Sequence, residues 1–314
     1  MEPKQQFNLL SFIFFIFLLN PFPVSPHEYS PHQRDTKNPS SPLDYLNNLI
    51  GTRKGNTAKG ISQLKKYLSN LGYMNSTITN NITKPTHEND DYFDDNLEQA
   101  IRNYQKFFKL TINGILDANT VANMKQPRCG VPDYFTNHNK TQFHGLIPII
   151  ASHYAFFPGT PKWPPTKRKL TYSFPQDMRS DVKQAVLDAS NLWASVSPFK
   201  FTYIPNYDQA DIKISFQYRD HGDGLPFDGP GGILAHSFAP SDGRLHYDGD
   251  ERWVDGVVPG AFDLQTLSLH ELGHILGLAH TSDGGAIMFP SIGDGFRKGL
   301  GQDDINGIRA LYPS

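Results

Sequence analysis

At 314 residues the chain is long enough for two modest domains, and 38% hydrophobic with 12% aromatic content supports packed cores rather than a disordered chain. A net charge of −2 excludes the strong basic footprint expected of a nucleic-acid or membrane-surface partner. The charge is uneven: residues 1–165 carry 16 Lys and Arg against 12 Asp and Glu, whereas residues 166–314 carry 13 against 19, an acidic half suited to hard cations.

The opening M-E-P-K-Q-Q leads into an apolar run at 7–19, short for a bilayer and shaped like a secretory signal peptide, which is assigned to residues 1–25. A secreted, extracellular product is expected, in the apoplast or an extracellular matrix. No second run of spanning length follows and the final A-L-Y-P-S lacks the apolar tail of a lipid-anchor signal, so the mature chain is expected to carry neither anchor. Asn75, Asn81 and Asn139 each open an N-x-[ST] sequon and are candidate glycosylation sites.

Ile61, Leu64, Leu68 and Leu71 recur at helical spacing up to Gly72, and Leu97, Ile101, Tyr104 and Phe108 repeat the pattern toward Asn113-Gly114. A short third helix is predicted over 117–124, with the polar stretch 75–91 as the loop between the first two. The single cysteine of the chain, Cys129, has no internal disulfide partner. It sits in P-R-C-G-V-P-D, which prolines stiffen and in which Arg128 and Asp133 are placed to pair. Residues 134–165 are proline-rich and aperiodic, as an exposed connector open to proteolysis would be. No R-x-[KR]-R site precedes this region, so a furin-like protease is not expected to act there.

Strands are predicted at 170–174, 199–204 and 212–216 from β-branched and aromatic content. An amphipathic helix between the first two buries Val182, Ala185, Val186, Ala189 and Trp193, with Ser180 or Asp181 as its cap. Residues 217–253 read as loop-rich. They include His221, Asp223, His236 and His246, whose three nitrogens and one carboxylate fill a tetrahedron and leave no place for water, the mark of a structural metal site.

A helix over 264–276 then carries H-E-L-G-H-I-L-G-L-A-H, residues 270–280. His270 and His274 project from one face a turn apart, and Gly277 allows the chain to swing round and deliver His280. Three neutral nitrogens leave the fourth position of a tetrahedral zinc open to water, with Glu271 beside it as general base. A thiolate is among the best zinc ligands, so Cys129 presented to that open position would displace the water and hold an enzyme off. Met288 follows in A-I-M-F-P.

The two motifs, P-R-C-G-V-P-D and H-E-L-G-H-I-L-G-L-A-H with Met288 downstream, resemble the cysteine switch, zinc signature and Met-turn of the matrix metalloproteinases, the matrixin family of metzincin zinc endopeptidases. Thr281 differs from the glutamate that the similar astacins carry after the third histidine. The resemblance covers roughly residues 40–314 and is to the minimal type without a haemopexin-like domain, including plant matrixins. It implies an α+β fold: a zincin-like catalytic domain at 166–314, with a twisted five-stranded sheet and three helices, after a pro-domain at 40–133 and an activation linker at 134–165. The small three-helix pro-domain is similar to peptidoglycan-binding modules.

The resemblance further implies a latent zymogen acting on protein or peptide substrates as a monomer, and an activating protease that exposes a new terminus between residues 152 and 155 for Asp303 or Asp304 to pair with. It implies two zinc ions, one catalytic at His270, His274 and His280 with Cys129 as ligand in the latent form, the other structural at His221, Asp223, His236 and His246. Calcium is expected at Asp228, Asp248 and Glu251 with the carbonyls of Gly229, Gly231 and Ile233. Asp211 matches part of a second calcium site, but Arg244 stands where the family usually has an acid. An edge strand near 233–237 is expected to bind extended substrate, and Pro290, Ser291 and Ile292 to line the main specificity pocket; many matrixins have tyrosine at the place of Ile292. A competing reading, a catalytically inactive cell-wall or glycan-binding protein on a matrixin scaffold, is motivated by the peptidoglycan-like helices and opposed by the presence of every catalytic residue.

Overall fold

The computed structural model describes residues 41–74, 90–134 and 154–313. The expected signal peptide, the sequons at Asn75, Asn81 and Asn139, and the middle of the connector lie outside them. No helix among the described residues is long and apolar enough to cross a membrane.

Three short amphipathic helices pool faces that are too small to be stable alone. They are α1 (Ile61–Asn70), α2 (Asp95–Phe107) and α3 (Ala118–Met124), preceded by a 3-10 turn at Asp44–Leu49. Leu64, Leu68, Leu97, Ile101, Val121 and Met124 meet in their shared core. Asp94 and Asp117 accept from the Leu97 and Thr120 amides to cap α2 and α3, contacts worth about 1 kcal/mol each. The first helix ends before Gly72, whose φ is 81° and whose approach to the Tyr134 carbonyl leaves no room for a Cβ. The second stops short of the Asn113-Gly114 turn toward which its period pointed, because Lys109 turns left-handed at φ 55°. Buried Gln105 grips that turn instead, accepting from the Asn113 and Gly114 amides at 3.0 and 2.9 Å and donating to the Ile115 carbonyl at 3.0 Å.

In chain order the strands are β1 (Arg128–Cys129), β2 (Ala155–Phe156), β3 (Lys169–Ser173), β4 (Lys200–Tyr203), β5 (Ile212–Gln217), β6 (Ile233–Ser237), β7 (Arg244–Asp248), β8 (Trp253–Val254), β9 (Phe262–Asp263) and β10 (Leu278–Ala279). The main sheet has the order β1, β6, β7, β5, β3, β4, antiparallel at β6 and β7 and parallel elsewhere. Five of its strands come from the C-terminal half. The sixth, β1, is the Cys129 segment laid along β6. Strands β3, β4 and β5 match the predicted ones to within a residue. The stretch 217–253, read as loop-rich apart from the strand that the resemblance implied near 233–237, contains β6 over that range and also β7. All but the first residue of each is buried, so neither shows the alternation that marks a half-exposed strand.

The long helix α4 (Ser180–Val196) and α5 (Leu264–Ile275), buried except at Gln265, pack together, and α6 (Gln302–Leu311) adjoins α4. The predicted face of α4 is buried, but neither Ser180 nor Asp181 caps it: Arg179 holds the capping position and Asp181 pairs with it from inside the first turn. Both described ends of the segment 134–165 are packed: Tyr134 joins the helical core and β2 pairs with β10. Trp163 likewise belongs to the sheet core and donates to the Ile275 carbonyl at 2.9 Å. The Trp193 indole ties α4 to the Leu269 carbonyl at 2.8 Å, and a Cβ on Gly273 would run into Met288 Sδ and crowd the Trp193 ring. Gly273→Ala should therefore lower stability by about 1–3 kcal/mol, read as a lower denaturation midpoint of the full chain.

Candidate metal centres

His270 and His274 lie one turn apart on α5, and Gly277, at φ 105° and too close to the Pro161 carbonyl for a side chain, turns the chain so that His280 returns beside them. Their Nε2 atoms are 3.1–3.2 Å apart. Each Nδ1 is bonded elsewhere: His270 to the Ile287 carbonyl at 2.7 Å, His274 to the Leu278 carbonyl at 2.8 Å, and His280 to the Asp133 carboxylate at 2.8 Å. Those acceptors fix the Nδ1–H tautomer and aim three Nε2 lone pairs at one point, an arrangement that repels itself unless a cation is there. Burial pushes all three imidazoles below their ordinary range, furthest at His270 and His274, which keeps them neutral as ligation requires.

Cys129 Sγ lies 3.5 Å from His274 Nε2, and the four donor atoms all fall within 4.8 Å of one another. Ligands of a tetrahedral zinc with bonds of about 2.0–2.3 Å stand about 3.3–3.6 Å apart, so the group has the right size and donor chemistry. Burial, and then the neighbouring Glu271, pushes the Cys129 thiol well up, so a thiolate here needs a cation beside it. Glu271 is buried on α5 facing that thiol; burial pushes its carboxyl up to about 7, against the opposing bond from the Ser237 hydroxyl to Oε2 at 2.6 Å.

The Cys129 segment is gripped from both sides. Arg128 and Gly130 donate backbone bonds to the Gly232 and Ala235 carbonyls at 2.8 Å each, while Cys129 donates to Pro290 at 3.0 Å and Ile292 donates to Pro127 at 2.8 Å. Arg128 and Asp133 pair at 2.6 Å with both side chains buried, and the Tyr73 hydroxyl donates to the second Asp133 oxygen at 2.6 Å. Burial alone would raise Asp133, but Arg128 and His280 outweigh it and hold the carboxyl at about 2. Asp133→Ala should leave Arg128 buried and unpaired at a cost of about 3–5 kcal/mol, measured as a fall in the thermal midpoint.

Met288 sits under α5 against Gly273. Its amide and that of Ile287 donate to Asp304 at 3.1 and 2.7 Å, as does Gly301 at 2.7 Å, so Asp304 holds this turn. Asp303 is the member of the pair that faces Tyr154, accepting from its amide at 2.6 Å.

The second donor group centres on Asp223 Oδ2, which lies 2.9 Å from His221 Nε2, 2.8 Å from His236 Nε2 and 2.9 Å from His246 Nδ1. This three-nitrogen, one-oxygen cluster and the Cys129 cluster are the two groups among the described residues whose donors converge within 4.8 Å. Asp228, Asp248 and Glu251 are gathered more loosely beside it. Burial, with repulsion among the acids, pushes Asp228 up to about 7, Glu251 to about 8 and Asp248 upward. Buried Asp248 Oδ2 has no hydrogen-bond partner among the described residues, which fits a cation nearby. Asp211 is engaged otherwise: it pairs with Lys167 at 2.7 Å and accepts from the Thr171 amide and hydroxyl at 2.8 and 2.7 Å. Arg244 pairs with Asp242.

Ser237, Tyr73 and the contact of Asp133 with His280 had no signal in spacing or motif, because each joins residues far apart in the chain. Residues 162–313 match the family model described as matrixin, and residues 57–124 the one described as putative peptidoglycan binding domain. The chain is 46% identical to Metalloendoproteinase 1 of Glycine max, over 82% of this chain and 83% of that one. It is similar to Metalloendoproteinase 5-MMP of Arabidopsis thaliana at 41% identity, with 97% and 86% covered, and to neutrophil collagenase of Homo sapiens at 40%, with 68% and 43% covered.

Proposed function

Because the chain belongs to the matrixin family and is therefore a metalloendopeptidase, we propose that it is a secreted zinc enzyme kept latent by its own Cys129 segment. The seat of β1 carries this reading: an extended segment fills the groove between β6 and residues 290–292 with its thiol against three histidines. An extended peptide substrate draws on the same backbone donors and acceptors, so substrate and segment compete for one place.

In this reading His270, His274 and His280 hold the catalytic zinc, joined by Cys129 in the latent chain. His221, Asp223, His236 and His246 hold a structural zinc, and Asp228, Asp248 and Glu251 with the carbonyls of Gly229, Gly231 and Ile233 hold calcium. Bound catalytic zinc supplies Lewis acidity toward water and the scissile carbonyl. Glu271 takes the proton that the attacking water gives up and passes it to the leaving amine. Strand β6 aligns the peptide backbone, and Ile292 in the facing wall favours a hydrophobic side chain just after the cut bond. Cleavage ahead of Tyr154 would place a new ammonium beside Asp303, within reach of the carboxylate that already accepts from the Tyr154 amide. Residues 1–25 act as signal, 40–133 as pro-domain, 134–165 as the activation linker and 166–314 as catalytic domain, with Asn75, Asn81 and Asn139 as glycan acceptors.

The test is cleavage of a quenched fluorescent peptide by refolded residues 26–314, before and after a mercurial thiol reagent, with and without a zinc chelator. Cleavage is expected only after the reagent, and the chelator should abolish it. Silence from folded, zinc-loaded protein in every arm would refute the proposal.

A further inference from the structure

We propose that Ser237 is the positioning residue of Glu271: it holds Oε2 and so leaves Oε1 as the oxygen that receives the proton. The inference rests on the endopeptidase reading above and deepens it. Ser237 is the last residue of β6, the strand assigned to the substrate backbone, and it is buried. Its hydroxyl lies 2.6 Å from Glu271 Oε2 and 3.0 Å from the Glu271 backbone carbonyl. Both neighbours are acceptors, so the one hydroxyl proton goes to the nearer, ionisable oxygen.

The terminal torsion of a glutamate is soft and otherwise free to interchange its two oxygens. Donation to Oε2 removes that freedom. Oε1 is buried and meets no hydrogen-bond partner of ordinary geometry among the described residues; the group the carboxylate does interact with is the Cys129 thiol, which leaves with the pro-segment. An orphaned acceptor is costly in a closed core and is explained where a reacting group is due to meet it. Nothing in the Ser237 bond involves the pro-segment, so the carboxylate keeps its orientation when that segment leaves. The register of β6 against β7, with Ser237 opposite Leu245, sets the height of the hydroxyl along the groove. One strand therefore positions both the peptide and the base.

In the chemical step a water O–H bond breaks, its proton passes to Oε1, and the water oxygen adds to the carbonyl carbon. As the C–N bond breaks, the proton moves from Oε1 to the amine nitrogen. Ser237 gains and loses no proton.

The experiment compares wild type, Ser237→Ala and Ser237→Thr as full chains activated with the thiol reagent, measuring kcat and KM on the quenched peptide, zinc per chain and thermal midpoint. S237A is expected to lose about 10- to 100-fold in kcat, the worth of one hydrogen bond to a charged group, with KM and zinc content unchanged. S237T, which restores the hydroxyl, should recover most of the loss. Wild-type kcat in S237A, or an equal fall in both variants with a raised KM, would overturn the role and leave Ser237 a packing residue. An activated wild type that leaves the peptide whole would instead strike the endopeptidase reading itself.

Discussion

Glu271→Ala should leave zinc bound and lower kcat by about 10²–10⁴-fold, the usual contribution of a positioned general base. Glu271 is not among the four donors whose atoms converge at the first centre. The three histidines are oriented by Ile287, Leu278 and Asp133, none of which depends on it. Metal content should therefore be unchanged. Stability should change little as well, because burial already disfavours the charged carboxylate and pushes it up to about 7. Glu271→Gln separates shape from chemistry: it keeps the volume and a partner for Ser237, yet lacks a basic oxygen, and should be as slow as the alanine variant. Steady-state kinetics on the activated full chain, with metal analysis of the same samples, read both quantities. If Glu271→Ala kept more than a tenth of wild-type kcat, the proton would have to travel by another group.

What the sequence reveals of this molecule divides along chain distance. The spacing of His270, His274 and His280 around Gly277 is local, set by helix period and one left-handed turn, and the three nitrogens lie where that spacing points. The helices of the N-terminal unit were equally legible, because each exposes one face and buries the other. Strand β7 was not, and β6 was expected only through the family resemblance, since burial on both faces erases the alternation that signals a strand. The outer contacts of the centre were invisible for a different reason. Ser237 reaches Glu271 from β6, Asp304 reaches the Met288 turn from α6, and Asp133 reaches His280 across the groove. Such pairs are created by the fold, and no periodicity within either partner's own segment encodes them.

Cys129→Ser should release activity without any thiol reagent, seen as peptide cleavage or self-cleavage on refolding with zinc. Four backbone bonds and the buried Arg128–Asp133 pair still favour the segment in its groove, and net backbone bonds are worth only about 1 kcal/mol each. What they do not supply is the fourth ligand. A neutral serine hydroxyl is a far poorer zinc ligand than a thiolate. Water would then compete for the position beside Glu271, and each departure of the segment would open the groove to substrate. The helical unit need not unfold, because its core is formed by α1, α2 and α3 independently of Cys129. The released fraction should grow further in an Asp133→Ala background, which removes the segment's internal pair with Arg128 and its contacts to Tyr73 and His280. A Cys129→Ser chain that is folded, zinc-loaded and fully latent would overturn the thiol's role and assign latency to occupation of the groove by β1 alone.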